Sequence, residues 1–445
     1  MEQDLSPLIA LLRIPSISTK PEFAGPVREC AEMVAGLLRQ AGLESVELLE
    51  SPGRHPLVYG DWLHAPGAPT LLLYGHYDVQ PPEPLGEWKS PPFEPTIRGE
   101  HIYARGAADD KGLVLILIHA VERLIAARRL GVNIKFLIEG EEESGGEHLS
   151  EYVRSHPPRL RGLDAAIICD TEMFAPELPT ICVGLRGIIY GEIHVKGARQ
   201  DLHSGVYGGA APNPLEAIAH IISALKGTDG RIKIPGFYDA IESPAAEELA
   251  AWHSLPFDEE EYRKREVGSP ELTGEAGYSV LERTWARPTF EVHGIVGGFV
   301  STGFKTVIPA KAHAKISCRL VPGQDPAAIA AALKGAIAQA TPRGVTSRFE
   351  VFSAGPASIV NPQHPILQAA SQALAQTFGR PTVYMRSGGS IPVVGLFQRE
   401  LGIPSVLMGF GLPDDNLHAP NEKFHLPNLH RGIDAVEAFF QILGN

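Results

Sequence analysis

The chain has 445 residues, 44% of them hydrophobic and 20% charged, so it exceeds the usual single-domain size and reads as a globular protein able to bury a large core. A formal net charge of −13, with no lysine or arginine block to reverse it locally, argues against a nucleic-acid or anionic-membrane surface. The most apolar stretch, residues 113–127, is too short for a membrane span and carries His119, Glu122 and Arg123, and no basic-then-apolar secretory signal opens the sequence.

Residues 4–13 and 26–41 carry apolar side chains at helical spacing, with Pro26 near a helix start and Gly42 just past its end. Apolar runs of strand length then alternate with helical patterns, which predicts an α/β fold with a mostly parallel sheet flanked by helices. Four runs end in side chains able to hold a metal. Residues 70–74 lead into Gly75-His76-Tyr77-Asp78, and 133–138 into Gly140 and Glu141-Glu142-Glu143-Ser144. Residues 165–169 lead into Asp170, and 405–408 pass through a glycine-rich loop to Asn416-Leu417-His418-Ala419-Pro420-Asn421-Glu422. Between the first two runs, residues 104–112 set Asp109 and Asp110 at the mouth of a long apolar helix, where unpaired N–H groups and the helix dipole favour an ionised carboxylate. Ligands of open α/β sheets bind beyond the carboxyl ends of the strands, so the four ends are expected to converge.

From about Arg186 the pattern becomes a half-exposed strand over 187–196. A helix near 214–225, strands at 289–292 and 313–320, a helix near 326–339 and a strand at 347–352 follow. This β-α-β-β-α-β order predicts a ferredoxin-like α+β domain inserted into the larger one, with residues 228–288 as a long excursion. Helical patterns resume over 366–378 and 432–443. The expected organisation is a catalytic domain in two parts, 1–185 and 356–445, around an inserted domain, 186–355. Cys30, Cys169, Cys182 and Cys318 are widely spaced, with no Cys-x-x-Cys pair, which fits reduced thiols in a cytoplasmic protein.

His76, Asp109, Glu143, Asp170 and His418 supply two imidazoles and three carboxylates, a donor set for divalent cations. With Asp109 bridging, they suffice for two ions per subunit about 3.5 Å apart, as in cocatalytic hydrolases. One cation would take His76 and Asp170, the other Glu143 and His418. Imidazole plus carboxylate suits Zn2+, Mn2+ or Co2+. Asp78, two residues beyond His76 on extended chain, faces the same side and can accept the imidazole N–H. Neighbours on an extended segment face opposite ways, which separates Glu142 from Glu143 and leaves it as the general base. It would deprotonate a metal-bridging water for attack on a carbonyl and return the proton to the leaving amine. Asp110 is not required as a ligand and is expected to set the backbone at Asp109.

These segments, with Arg105-Gly106-Ala107-Ala108-Asp109-Asp110-Lys111-Gly112 and Asp201-Leu202-His203-Ser204-Gly205, resemble the dinuclear-zinc metallopeptidase family of carnosinase, aminoacylase, carboxypeptidase G and succinyl-diaminopimelate desuccinylase. The likeness runs in order from near residue 70 to 422 and is greatest to carnosinase-type cytosolic dipeptidases. It implies that the inserted domain is a lid and dimerisation domain of a cytoplasmic homodimer, and that the Asp109–Asp110 peptide is cis. It also implies that His203 reaches the partner subunit's site to stabilise the oxyanion. By the same likeness Arg319 grips the substrate's terminal carboxylate, and Thr306 and Ser390 contact substrate. Ser387 departs from the pattern, since carnosinase-like sequences commonly have Glu before Gly388-Gly389-Ser390.

The expected function is a metal-dependent hydrolase that cleaves the amide bond of dipeptides or similar small peptides. One alternative is an N-acyl-amino-acid deacylase or desuccinylase with the same dinuclear mechanism. A non-catalytic metal-binding scaffold is the remaining one, and a scaffold has no physical need for Glu142.

Overall fold

The computed structural model describes residues 4–389 and 391–444. The chain forms two compact units, Met1–Val183 with Val360–Met385 and Leu396–Asn445, and Gly184–Ile359 with Arg386–Gly395.

The first unit is built on a mixed sheet whose strands run in the spatial order Glu44–Leu49, Leu57–Trp62, Asn133–Glu139, Thr70–His76, Ala165–Ile168, Ser405–Leu407 and Thr180–Leu185. Its centre is parallel. Thr70–His76 pairs in parallel with Asn133–Glu139 on one side and with Ala165–Ile168 on the other, and Ser405–Leu407 continues the parallel run. These strands are continuous apolar runs because helices cover both faces of a parallel sheet, and Asn133–Glu139 is buried along its whole length. The flanking strands are antiparallel. Glu44–Leu49 and Leu57–Trp62 are joined by a connection too short for the crossover that parallel pairing requires.

Helix Lys111–Ala126 is apolar on nearly every face and is buried accordingly among the helices Ser6–Leu12, Ala24–Gln40 and Leu426–Gly444. Its first turn lies hard against strand Thr70–His76. A Cβ at Gly75 would stand 2.4 Å from a methyl of Val114 and 2.6 Å from the Asp110 carboxylate, so only glycine lets the helix start reach the strand end.

In the second unit four antiparallel strands run in the order Thr289–Gly297, Lys311–Leu320, Gly187–Lys196, Thr346–Gly355. Numbered along the chain this is 2-3-1-4, the ferredoxin-like arrangement. Helices Pro214–Leu225 and Pro326–Ala340 share a core with Ile189, Ile193, Ile316 and Leu320. The long excursion contains the short helices Ala246–His253 and Val280–Trp285, the latter closed by a Ser279–Glu282 capping box. Among the described residues no helix is long and apolar enough to cross a membrane.

Candidate active site

The four parallel strands of the first unit are neighbours in the sheet, so their carboxyl ends lie along one edge. His76 closes its strand and is fully buried. Its Nδ1 lies 3.1 Å from the Asp78 carbonyl, which fixes the proton there in the neutral ring and leaves Nε2 as the ligating nitrogen. That Nε2 stands 3.0 Å from Asp109 Oδ1 and 3.9 Å from Asp170 Oδ2. Across Asp109, His418 Nε2 stands 3.0 Å from Oδ2 and 3.4 Å from Glu143 Oε1. Each oxygen of Asp109 therefore faces one imidazole. His76, Asp109 and Asp170 form one group whose ligand atoms lie within 4.8 Å of one another, and Asp109, Glu143 and His418 form a second. With its proton on Nδ1, the buried His76 Nε2 turns a lone pair toward Asp109 Oδ1 and gains no satisfied hydrogen bond there, the condition a coordinating cation would relieve.

Charge is finely balanced here. Burial pushes the Asp109 carboxyl up, but the hydrogen bond with His418 and the adjacent His76 ring outweigh it and hold the group below the ordinary carboxylate range. The same contacts with Asp109 and Glu143 push His418 up to about 10. Asp170 is pushed up to about 7 by burial, opposed by His76. Burial pushes Glu142 up to about 8, again opposed by His76.

The loop that carries both glutamates is a single tight turn, Glu142–Ser144, ending at Gly145 with φ 114°. The extended segment assumed from sequence is absent. Successive residues of such a turn point about 120° apart, so Glu142 and Glu143 still diverge, though for a different geometric reason. Asp78 holds this turn. Its Oδ1 accepts from Glu142 N at 3.2 Å, and its Oδ2 accepts from Glu143 N at 3.1 Å and from Ser18 Oγ at 2.6 Å. His76 Nδ1 is 3.4 Å from the same carboxylate, farther than from the Asp78 carbonyl.

Asp110 occupies the cap position of helix Lys111–Ala126, yet its side chain makes no capping bond. The carboxylate turns back over Gly75, and its Oδ2 accepts from His76 N at 3.0 Å. Helix capping thus gives way to fixing the strand end, and the Asp109–Asp110 peptide is cis.

His203, Thr306 and Arg319 belong to the second unit. His203 and Thr306 are neighbours, since Ser204 N donates to the Thr306 carbonyl at 3.0 Å, and both side chains are exposed. His203 Nδ1 accepts from Gly205 N at 3.0 Å. Arg319 lies half-buried on strand Lys311–Leu320, and burial lowers its pKa. Ser390 lies outside the described residues, and the hydroxyl of neighbouring Ser387 accepts from Gly389 N.

Sequence reasoning assigned no role to Ser18, Gln80, Arg105 or Glu422. Gln80 Nε2 donates to Glu143 Oε2 at 2.6 Å, leaving Oε1 turned to His418. Arg105 and Glu422 form a buried ion pair at 2.7 Å beside Asp109. Their one sequence signal is charge amid the apolar and small residues that flank the ligands.

Residues 72–441 match the family model described as Peptidase family M20/M25/M40. The chain is 31% identical to the Cys-Gly metallodipeptidase dug1 of Schizosaccharomyces pombe, over 94% of this chain and 91% of that one. It is 33% identical to the Beta-Ala-His dipeptidase of Homo sapiens, over 86% of this chain and 77% of that one. Among solved structures, the M20 family metallo-carboxypeptidase Sso-CP2 of Sulfolobus solfataricus superposes with a TM-score of 0.85 at 32% identity, covering 100% of both chains.

Proposed function

The chain belongs to peptidase family M20/M25/M40, and on that premise we propose that it is a metal-dependent dipeptidase whose reaction is carried out where the two candidate cation clusters meet at Asp109. The observation that carries this reading is the shared carboxylate, with one oxygen facing each histidine, and Glu142 precedes the Glu143 of the second group in one tight turn. Two divalent cations held there, Zn2+ first and Mn2+ or Co2+ as alternatives, would supply the Lewis acidity that polarises the scissile carbonyl and eases deprotonation of water.

The chain's own residues do the rest. Glu142 takes a proton from the attacking water and returns it to the leaving amine, and burial, which raises its carboxyl, favours its holding that proton between the two transfers. Asp78 holds the Glu142–Glu143 turn and orients His76. His203, with Nδ1 occupied by Gly205, carries its neutral-ring proton on Nε2 and offers that N–H to the oxyanion, in trans across a homodimer formed through the second unit. Arg319 holds the substrate carboxylate, and Thr306 and Ser390 are assigned to substrate contact. Four buried cysteines with reduced thiols fit a reducing, cytoplasmic setting.

A carboxypeptidase acting on longer peptides is the second reading, favoured by the full-length likeness to Sso-CP2. A panel of dipeptides, tripeptides and N-acyl amino acids, each with and without chelator, separates the possibilities. Chelator-sensitive cleavage of dipeptides is the expected result. Cleavage of tripeptides from the carboxyl end favours the second reading, and turnover of acylated amino acids alone overturns both.

A further inference from the structure

We propose that the buried Arg105–Glu422 pair is the positioning element for one half of the dinuclear centre, setting Asp109, Glu143 and His418 for the second cation without ligating it. The inference rests on the two-cation reading above.

Glu422 and Arg105 are both essentially inaccessible, with side chains 0% and 1% exposed. The Glu422 carboxylate is saturated. Its Oε2 accepts from Arg105 Nη1 at 2.7 Å and Gly106 N at 2.9 Å, and its Oε1 from Ala108 N at 2.9 Å and Asp109 N at 3.1 Å. Four inward donors require an acceptor-only group with two oxygens, which a carboxylate is and an amide is not. With every oxygen engaged by donors, Glu422 serves geometry rather than coordination.

The pair gathers three segments distant in sequence. Arg105 Nη2 reaches the carbonyls of Pro81 and Ala419 at 3.4 and 3.3 Å, and Ala104 N donates to the Glu422 carbonyl at 3.1 Å. The first segment carries Gln80, which holds Glu143; the second ends in Asp109; the third follows directly on His418. All three candidate ligands of the second cluster are thus tied to one ion pair.

The first cluster is supported differently. His76 and Asp170 end or follow buried strands, and His76 is held by Asp110 and Asp78. The His418 loop has no such strand, and Asn416, His418 and Asn421 all take left-handed φ values of 58°, 59° and 65°. Asparagine adopts that conformation readily and histidine less so, and the ion pair reaches the residue after His418 through the Ala419 carbonyl.

The test is equilibrium dialysis of the full chain against Zn2+ with metal quantification, comparing wild type, Glu422→Gln and Arg105→Lys, alongside visible spectra of Co2+-loaded protein. Wild type should hold two equivalents. The variants should keep the first and bind the second about 10–100-fold more weakly, the usual cost of losing a group that orients a ligand. One of the two Co2+ absorption components should then disappear at limiting metal.

Two tightly held equivalents in both variants would overturn the inference. So would simultaneous loss of both, because the pair would then serve the whole centre. A wild type that binds fewer than two equivalents overturns the two-cation reading and this inference with it. Circular dichroism of ion-free protein reports folding; if Glu422→Gln does not fold, Arg105→Lys carries the comparison, and failure of both to fold overturns the proposal in favour of a purely structural pair.

Discussion

Replacing Asp78 by asparagine probes whether the catalytic turn is held from below. The native carboxylate accepts from Glu142 N and Glu143 N on separate oxygens, with Ser18 Oγ sharing the second. Asparagine keeps one acceptor oxygen and presents an NH2 group in place of the other. The Ser18 hydroxyl can rotate and accept from that NH2, but a backbone N–H cannot, so one part-buried donor is stranded in either flip state. A stranded donor costs about 1–3 kcal/mol, which should appear in denaturant unfolding of the ion-free protein. The turn would then shift, and a displacement of about 1 Å at the general base costs on the order of 100-fold in rate. Steady-state kinetics on a dipeptide cleaved by the wild type should show kcat down about 100-fold, with KM within a few-fold, since Asp78 is not expected to touch substrate. Ser18→Ala is the internal standard. It removes a single donor and leaves both backbone bonds, so it should cost about 1 kcal/mol and have a clearly smaller effect on kcat. A full-rate, fully stable Asp78→Asn enzyme, or one impaired less than Ser18→Ala, would refute the reasoning.

Asp109→Ala should abolish binding of both equivalents in elemental analysis, and retention of one would remove the shared carboxylate from the scheme. Glu142→Gln should lower kcat by about 10²–10⁴-fold while metal content stays at the wild-type value; metal loss matching the rate loss would make Glu142 a ligand instead of a base. His203→Ala should depress kcat with metal content intact. When it is mixed with Glu142→Gln protein, hybrid dimers should regain about a quarter to a half of wild-type activity if each site draws on its partner, and no recovery would confine His203 to its own subunit.

The legible part of this molecule was the part written in local pattern. Apolar run length and the residue following each run located His76, Asp170 and the Glu142–Glu143 loop, because a buried parallel strand must be apolar throughout and its ligand can only follow it. The antiparallel strand–helix order of the second unit was legible for the same reason. What escaped was tertiary. Ser18 meets Asp78 across 60 positions and Arg105 meets Glu422 across 317, and no periodicity marks such pairs. The partner of Asp110 is tertiary as well. Asp110 has the local signature of a helix cap, but the close approach allowed by Gly75 offers its carboxylate the His76 N–H instead. The Glu142–Ser144 turn was misjudged as extended because three successive glutamates carry no turn signal until the glycines that follow.

The two halves of the centre differ in how they are anchored, and this sets an order of events. His76 is completely buried, and Asp170 is 18% exposed at the end of an internal strand, whereas the His418 side chain is 57% exposed on an irregular loop. Exchange of a ligand requires it to swing away from its partners. For His76 that means opening the junction of strand and helix where Asp110 and Gly75 meet, while for His418 a local loop motion suffices. The cation on the Glu143 and His418 side should therefore leave first. Stopped-flow chelation with a coloured zinc indicator should resolve two phases of equal amplitude, the faster one accelerated by Glu422→Gln and the slower one unchanged. A single phase in the wild type, or acceleration of both phases together, would mean that the shared Asp109 couples the two positions so tightly that their different anchoring has no kinetic consequence.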